Sequence, residues 1–436
     1  MSATVERSAS SPPGSPTSRP VREPLWTPQF SLLIVSAVFM YISTFMLTPT
    51  LPLFVARVGA GDLAVGGIIV AAYTFGSLLP RIFWGNLADR WLRQGVYLIG
   101  VALIAVLSPL FAVTVLLPVI IGLRFLQGVG FSGSSTAGAA MSADLIPASR
   151  RAEGVGYYTL ANTIGMAFGP ALGLGVLQTF GPGWLFGASV ISGAFAFSLG
   201  LFLRYERVRT HAESAVDDEM PGSADPTAAE PSSTITISPD VLSARKANRF
   251  IEPTVLPTSV VFLFVILPYG AIMAFIAAYG LEQGVTQIGL YFTVFAIALF
   301  VVRLGIGRIS DKHGVTVTFV PAIIAMAAGL VVLWWAASLP VFLLSAALFG
   351  LGFGVALPVL QATAYTFAPA ERRGAASATF FATADIAYGV GAMLLGLAMS
   401  LFDHRMAFAG LAIYTLLALV AFFVVLRPRL IALGRS

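Results

Sequence analysis

The stretch RIFWGNLADRWLRQG, residues 81–95, returns 222 positions later as RLGIGRISDKHG, residues 303–314. Arg81 aligns with Arg303, Gly85 with Gly307, Asp89 with Asp311 and Arg90 with Lys312. The register continues without an insertion: Gly128, Gly130 and Phe131 meet Gly350, Gly352 and Phe353, and Pro147 meets Pro369. Arg150 and Arg151 meet Arg372 and Arg373, and Gly169 meets Gly391. An offset kept over this length identifies one fold unit used twice in the same direction.

Composition says what solvent the unit lives in. Of 436 residues, 57% are apolar and 10% charged, against roughly 45–50% and 25% in soluble domains. A soluble chain of this size cannot hide so much apolar surface, so lipid is part of its solvent. There is no cysteine, which excludes disulfides and thiolate metal sites. The net charge of +5 is read as a topology signal, with no nucleic-acid partner expected.

Twelve apolar runs of spanning length follow, making an all-α membrane protein of two parallel six-helix repeats. They fall near 30–54, 64–84, 96–114, 117–141, 154–178 and 184–204, then near 256–279, 286–306, 317–336, 341–367, 377–401 and 407–427. The expected organisation is a disordered tail at 1–28, a six-helix bundle at 29–204, a linker at 205–255, a second bundle at 256–427 and a tail at 428–436. The tail before the first run lacks the apolar core of a signal peptide. Between Thr210 and Asp240 the linker carries seven acids and no Lys or Arg, a solvated composition. With both termini and the linker on one side, Arg57 and Arg405 fall opposite, and Arg81, Arg124 and Arg303 lie near or within spans. The remaining twenty of the 25 Lys and Arg share the linker side. That bias predicts a cytoplasmic linker and a multi-pass protein of the cell membrane.

The repeated stretch sits in a short turn between two spans. A carboxylate at Asp89 is favoured there by a neighbouring helix N-terminus and by Arg81 and Arg90. Helix capping and topology explain each residue separately but not the second copy. We therefore expect a charge latch between the halves, formed by Arg81, Gly85, Asp89, Arg90, Arg303, Gly307, Asp311 and Lys312. The pattern Gly85-x-Leu87-Ala88-Asp89-Arg90 resembles motif A of the major facilitator superfamily, and Gly307 to Lys312 resembles its second-half copy. Two six-helix halves joined by a long central loop are that superfamily's plan. Trp91 and Leu92 stand where the family usually has a glycine, and the second copy lacks the trailing basic residues.

Arg124 lies inside the fourth apolar run, where a centred arginine costs about 2.5–3.5 kcal/mol on insertion scales and should face a cavity or partner. Snorkelling to the interface is the competing reading. Arg124-x-x-Gln127-Gly128-x-Gly130 is similar to the superfamily's motif B, which implies proton coupling. Its repeat counterpart is Ala346. In the fifth run Gly165, Gly169 and Gly173 share one helix face, open to close backbone approach. With Gly156 and Pro170 they resemble motif C, which implies an exporter working by antiport and makes this face part of the interface motion. Leu174 replaces that motif's last glycine.

Asp385 is the expected coupling residue. No other charged residue lies between Arg373 and Asp403, and a carboxylate in apolar surroundings can exchange a proton near neutral pH. A polar bond across helices, or a fixed pair with Arg303, would also account for it. Its repeat counterpart is Thr163. Glu153 is a second candidate. Polar and aromatic residues inside runs suggest an amphipathic cavity: Tyr41, Thr44, Tyr73, Gln127, Tyr157, Asn162, Tyr269, Tyr291, Gln361 and Tyr388. The superfamily's central path favours Tyr41, Thr44, Gln127, Tyr269 and Gln361 among them.

No Gly-rich loop followed by Lys-Ser/Thr, no His-Glu-x-x-His pair and no nucleophile with its base is present. The chain is expected to be neither an enzyme nor an ATPase, to hold no metal or cofactor, and to draw on a proton gradient as a monomer. The expected task is proton-coupled efflux of a small organic compound. The resemblance is to bacterial twelve-helix drug, sugar and metallophore exporters. A proton symporter for uptake, or a non-transporting sensor on the same fold, are the alternatives. The lack of lysine within spans and the single buried acid fit an apolar, neutral or cationic substrate better than an anion.

Overall fold

The computed structural model describes residues 24–60, 63–81, 83–84, 87, 93–147, 150–203, 205, 252–303, 305–369 and 372–432. Twelve principal helices run through them. The first half holds α1 Pro28–Arg57, α2 Leu63–Leu78, α3 Arg93–Leu107, α4 Leu117–Leu145, α5 Arg151–Thr179 and α6 Pro182–Leu201. The second holds α7 Leu256–Glu282, α8 Gly289–Arg303, α9 Val315–Trp334, α10 Leu339–Phe367, α11 Arg373–Leu401 and α12 His404–Ala421. Helix α3 is prolonged by Leu110–Val113, and α12 continues through Phe422–Leu426 into Arg427–Ala432. There are no strands among the described residues.

Local sequence sets the helix ends. Thr27 caps α1, its Oγ1 accepting from the Phe30 amide at 3.2 Å, and Pro28 opens the first turn. Proline likewise opens α4, α6, α7 and α10, where its missing N–H would be unpaired in any case. Gly314 takes φ +86°, a conformation that favours glycine. It separates α9 from the short helix Ile306–His313 that carries the second motif copy.

Among the described residues ten helices are long and apolar enough to cross a membrane; α2 and α8, of 16 and 15 residues, are shorter. The twelve expected helices are present, with the runs near 64–84 and 286–306 giving the two shorter ones over the described residues. Helix α2 gives way to a turn at Leu79–Pro80, and α8 stops at Arg303, ahead of the turn at Gly305. Both breaks fall at the start of the repeated motif, so the motif shortens the helix that leads into it.

The repeat is visible in the packing. Helix α1 packs on α5 and α6, α4 on α2 and α3, and α3 on α6; α7 packs on α11 and α12, α10 on α8 and α9, and α9 on α12. Between the halves, α2 meets α11, α5 meets α8, and α1 meets α7 near the pseudo-axis. The α2–α11 and α5–α8 seams are thus equivalent under the 222 offset. We call the end that carries the linker the linker end. At the other end every residue from Met46 to Val55 of α1 and from Val265 to Gly280 of α7 is buried, so that end is closed.

Candidate transport site

Both seams carry an arginine from the start of the repeated motif, at the linker-end terminus of the shorter helix. Arg81 reaches Asp385 of α11 with Nη2 2.5 Å from Oδ2, each side chain 22% exposed. Arg303 donates from Nη1 to Thr163 Oγ1 of α5. Asp385 stands twelve positions past the start of α11 and Thr163 twelve past the start of α5, so both acceptors sit near mid-height of their helices. The geometry therefore gives Asp385 to Arg81 rather than to Arg303. The four residues of this site form two equivalent contacts, one ionic and one neutral.

Of the remaining latch residues, Gly85, Asp89 and Arg90 lie outside the described residues. Gly307, Asp311 and Lys312 fall in the short helix Ile306–His313, where Lys312 is exposed. Glu153 is in the first turn of α5, and its side chain lies outside the description.

Arg124 is 2% exposed. Its Nη2 donates to the Leu47 carbonyl at 2.6 Å and its Nη1 to Gln127 Oε1 at 3.3 Å. Its guanidinium stands 5.5 Å from the Tyr73 ring centroid, and Nε has no partner. Leu47 lies in the segment of α1 that contains Pro49 and Pro52, so Arg124 ties α4 to the part of α1 whose backbone ladder proline interrupts. Among the described residues no carboxylate pairs with Arg124 or Arg303.

Each half holds an aromatic group. In the first, Tyr73, Tyr41 and Phe45 surround Phe131 at centroid distances of 5.6, 5.9 and 6.3 Å. In the second, Tyr269 stacks on Phe353 at 4.4 Å and lies 5.9 Å from Phe295 and 5.7 Å from Tyr388. Phe131 and Phe353 are repeat counterparts, as are Tyr73 and Phe295. The hydroxyls of Tyr73, Tyr269 and Thr44 are buried without a partner. Tyr41 and Tyr269 thus join the centre, with Thr44 on the same stretch of α1. Gln127 instead donates to Ser108 Oγ at 3.1 Å inside the first bundle, and Gln361 to the Tyr365 hydroxyl at 3.2 Å. Those two hydrogen bonds join residues of a single half.

The glycine face needs a similar correction. A Cβ at Gly165, Gly169 or Gly173 would collide with Tyr41, Phe45 and Met46 of α1, whereas Gly156 has nothing near it. The face therefore seats α5 on α1 within one half, with Pro170 buried beside it, and Gly156 is not part of that contact. The glycines that meet across the seams are others. Gly67 of α2 faces the Ala392 backbone of α11, Gly389 of α11 faces Thr74 of α2, and Gly289 of α8 faces Leu174 of α5.

Three polar clusters escaped the sequence reading. Arg93 and Tyr205 both bond to Asp144, joining α3, the chain beyond α6 and α4 at the linker end. Burial, then the bond to Asp144, pushes the Tyr205 phenol up to about 12. Glu252, 2% exposed, pairs with Arg372 at 2.8 Å and accepts from Thr254, anchoring the chain ahead of α7 to the start of α11. At the closed end His404 Nδ1 lies 3.1 Å from Glu282 Oε2. Arg93, eight residues after Gly85, was the only one of these with a motif-based signal.

A polytopic bundle of two six-helix repeats, joined by one ionic and one neutral seam contact, is the plan on which secondary transporters are built. The family model of the Major Facilitator Superfamily matches residues 33–286 and again 258–434. The chain belongs to that superfamily, whose members found by similarity here are transporters and not enzymes. It is 22% identical to the staphylopine export protein of Staphylococcus aureus (strain Mu50 / ATCC 700699), over 84% of this chain and 88% of that protein. It is 30% identical to an uncharacterised MFS-type transporter of Burkholderia mallei (strain SAVP1), over 42% of this chain and 47% of the relative. The chain spans 27% of the length of an MFS-type transporter of Stereocaulon alpinum, to which it is 28% identical over 34% of its own residues. Among solved structures, the nucleoside transporter NupG superposes with a TM-score of 0.68 at 13% identity, over 91% of this chain and all of that one. The inward-open xylose transporter XylE from E. coli superposes with a TM-score of 0.67 at 16% identity, covering 91% and 95%.

Proposed function

We propose that the protein exports a small organic compound in exchange for protons, by rocking its two halves about the aromatic centre. One observation carries this reading: the only ion pair that crosses between the halves among the described residues is Arg81–Asp385. A proton that neutralises Asp385 removes the ionic half of that contact, and Coulomb attraction across the α2–α11 seam goes with it. Proton binding and seam opening are then one event. On this reading the linker end is cytoplasmic, following the distribution of Lys and Arg. The exporter direction is supported by the motif C resemblance and by similarity to an exporter over most of both chains.

The test is proton-driven flux in inside-out vesicles, native chain against Asp385→Asn, across aromatic dyes of positive, neutral and negative charge. Accumulation that requires an acidic lumen and disappears in the variant is the expected result. Undiminished flux in Asp385→Asn would move the coupling role to Glu153 or Arg124. Uptake driven in the opposite sense would make the protein a symporter.

A further inference from the structure

We infer that the compound carried is an organic anion with an aromatic or otherwise flat apolar body, an inference that rests on the transport reading above. On the two seams and on α4 the described residues supply three arginines, Arg81, Arg124 and Arg303, and one carboxylate, Asp385. Asp385 is already matched by Arg81. That leaves Arg124 and Arg303 as cations with only neutral acceptors: a carbonyl and an amide oxygen for the first, a threonine hydroxyl for the second.

A guanidinium has five N–H donors. Arg124 uses two groups and leaves Nε without a partner; Arg303 uses one and leaves Nε likewise. Burying a charge without its counter-ion is costly. A charge of this kind is compensated when the missing anion arrives from outside the chain. The side chains near the two arginines suit such a guest. The Arg124 guanidinium stands 5.5 Å from the Tyr73 ring centroid, and Tyr269 lies 5.7 Å from Tyr388. The Tyr73 and Tyr269 hydroxyls are buried and unpartnered, giving two further donors for a carboxylate or sulfonate. The rings of Phe131, Tyr73, Tyr269 and Phe353 provide apolar faces from both halves. Among the acids on the seams that the structure describes, a cationic guest would have Asp385 to meet, in competition with Arg81. The charge count thus points away from the cation-favouring reading of the sequence.

The experiment is binding, measured by calorimetry on the full chain in detergent, with a matched pair of probes: 1-naphthoate and 1-naphthylmethylammonium. Naphthoate is expected to bind, and the cation at least about tenfold more weakly, the scale of one charged hydrogen bond. Arg124→Gln and Arg303→Gln should each weaken naphthoate by about tenfold or more. Arg124→Lys keeps the charge and should stay within a few-fold. Asp385→Asn should hold or strengthen anion binding, because it removes the one acid. Arg303→Gln keeps the test decisive if Arg124→Gln fails to fold, as judged by its size-exclusion profile. Equal or tighter binding of the cation, no binding of naphthoate, or loss of naphthoate binding in Asp385→Asn would overturn the inference. Naphthoate binding without proton-driven flux would uphold the anion site and sink only the transport reading. Flux of cationic dyes without naphthoate binding would do the reverse.

Discussion

Asp385 and Thr163 occupy the same position in the two repeats, and each receives the arginine that the other half supplies from its copy of the motif. The molecule therefore holds an ionic and a neutral version of one contact. Converting the neutral version should make the seams alike. Thr163→Asp gives Arg303 a carboxylate, and the step that parts the linker ends should slow. The chain has no cysteine, so a single Thr44→Cys reports access to the centre. Expected is slower maleimide labelling from the linker side in Thr163→Asp, together with reduced flux. Unchanged labelling and flux would show that the α5–α8 seam does not limit opening.

The ionic contact should behave as a coupled unit. Arg81→Gln strands a carboxylate and Asp385→Asn strands an arginine, whereas the double variant strands neither. A double-mutant cycle read by thermal unfolding should give a coupling energy of about 0.5–3 kcal/mol, with the double variant above the sum of the singles. Additive losses would mean that the two groups touch without stabilising each other.

How much of this was legible beforehand differs by feature. The fold was legible because the offset of 222 survives in the repeated stretch and far beyond it, among others at Gly85 and Gly307, Asp89 and Asp311, and Gly169 and Gly391. The prominence of Arg124 and Asp385 was also legible, since a lone charge in an apolar run stands out. Their partners were not. A sequence gives the position of Arg81 but not the reach of its side chain to a helix 304 residues away. The glycine spacing of α5 pointed to a close approach without naming the neighbour, which is α1, because helical spacing fixes a face and leaves its partner open.

The seam glycines differ in a testable way. A methyl at Gly67 would stand 2.5 Å from the Ala392 carbonyl oxygen, a backbone atom that cannot step aside. At its repeat counterpart Gly289 the nearest atom is the Leu174 Cβ at 3.6 Å, an ordinary contact. Gly67→Ala should cost about 1–3 kcal/mol of stability and disturb flux. Gly289→Ala should stay within about 0.5 kcal/mol of native. Thermal melting of both variants checks this, and similar losses at the two sites would mean that the seams are equally tight.

Within α5 the same reasoning separates Gly173 from Gly156. A Cβ at Gly173 would overlap the Met46 carbonyl oxygen, while at Gly156 it meets nothing. Gly173→Ala should therefore destabilise the first bundle by about 1–3 kcal/mol. Gly156→Ala should stabilise it by about 0.5–1 kcal/mol through helix propensity alone. Matching melting temperatures would place α5 further from α1 than the contacts here indicate.

Tyr205 makes a pH-dependent prediction at the linker end. Its phenol donates to Asp144 and accepts from Arg93 Nη1 at 3.3 Å, so three segments of the first bundle meet on one hydroxyl. The repeat counterparts are Thr366, Val315 and Arg427, which cannot form the same cluster. Burial first, then the bond to Asp144, raises this phenol to about 12 in the folded chain, whereas an unfolded tyrosine ionises near ~10. The raised value means that the stabilisation is fully present below pH ~10 and fades as the pH climbs through about 12. Tyr205→Phe removes the hydroxyl and should lower stability by about 1 kcal/mol near neutrality. Melting curves of the native chain and the variant should therefore lie apart at pH 8 and draw together between pH 10 and 12. A gap that stays constant across that range would mean that the hydroxyl contributes by packing alone, and that Asp144 is held by Arg93 without it.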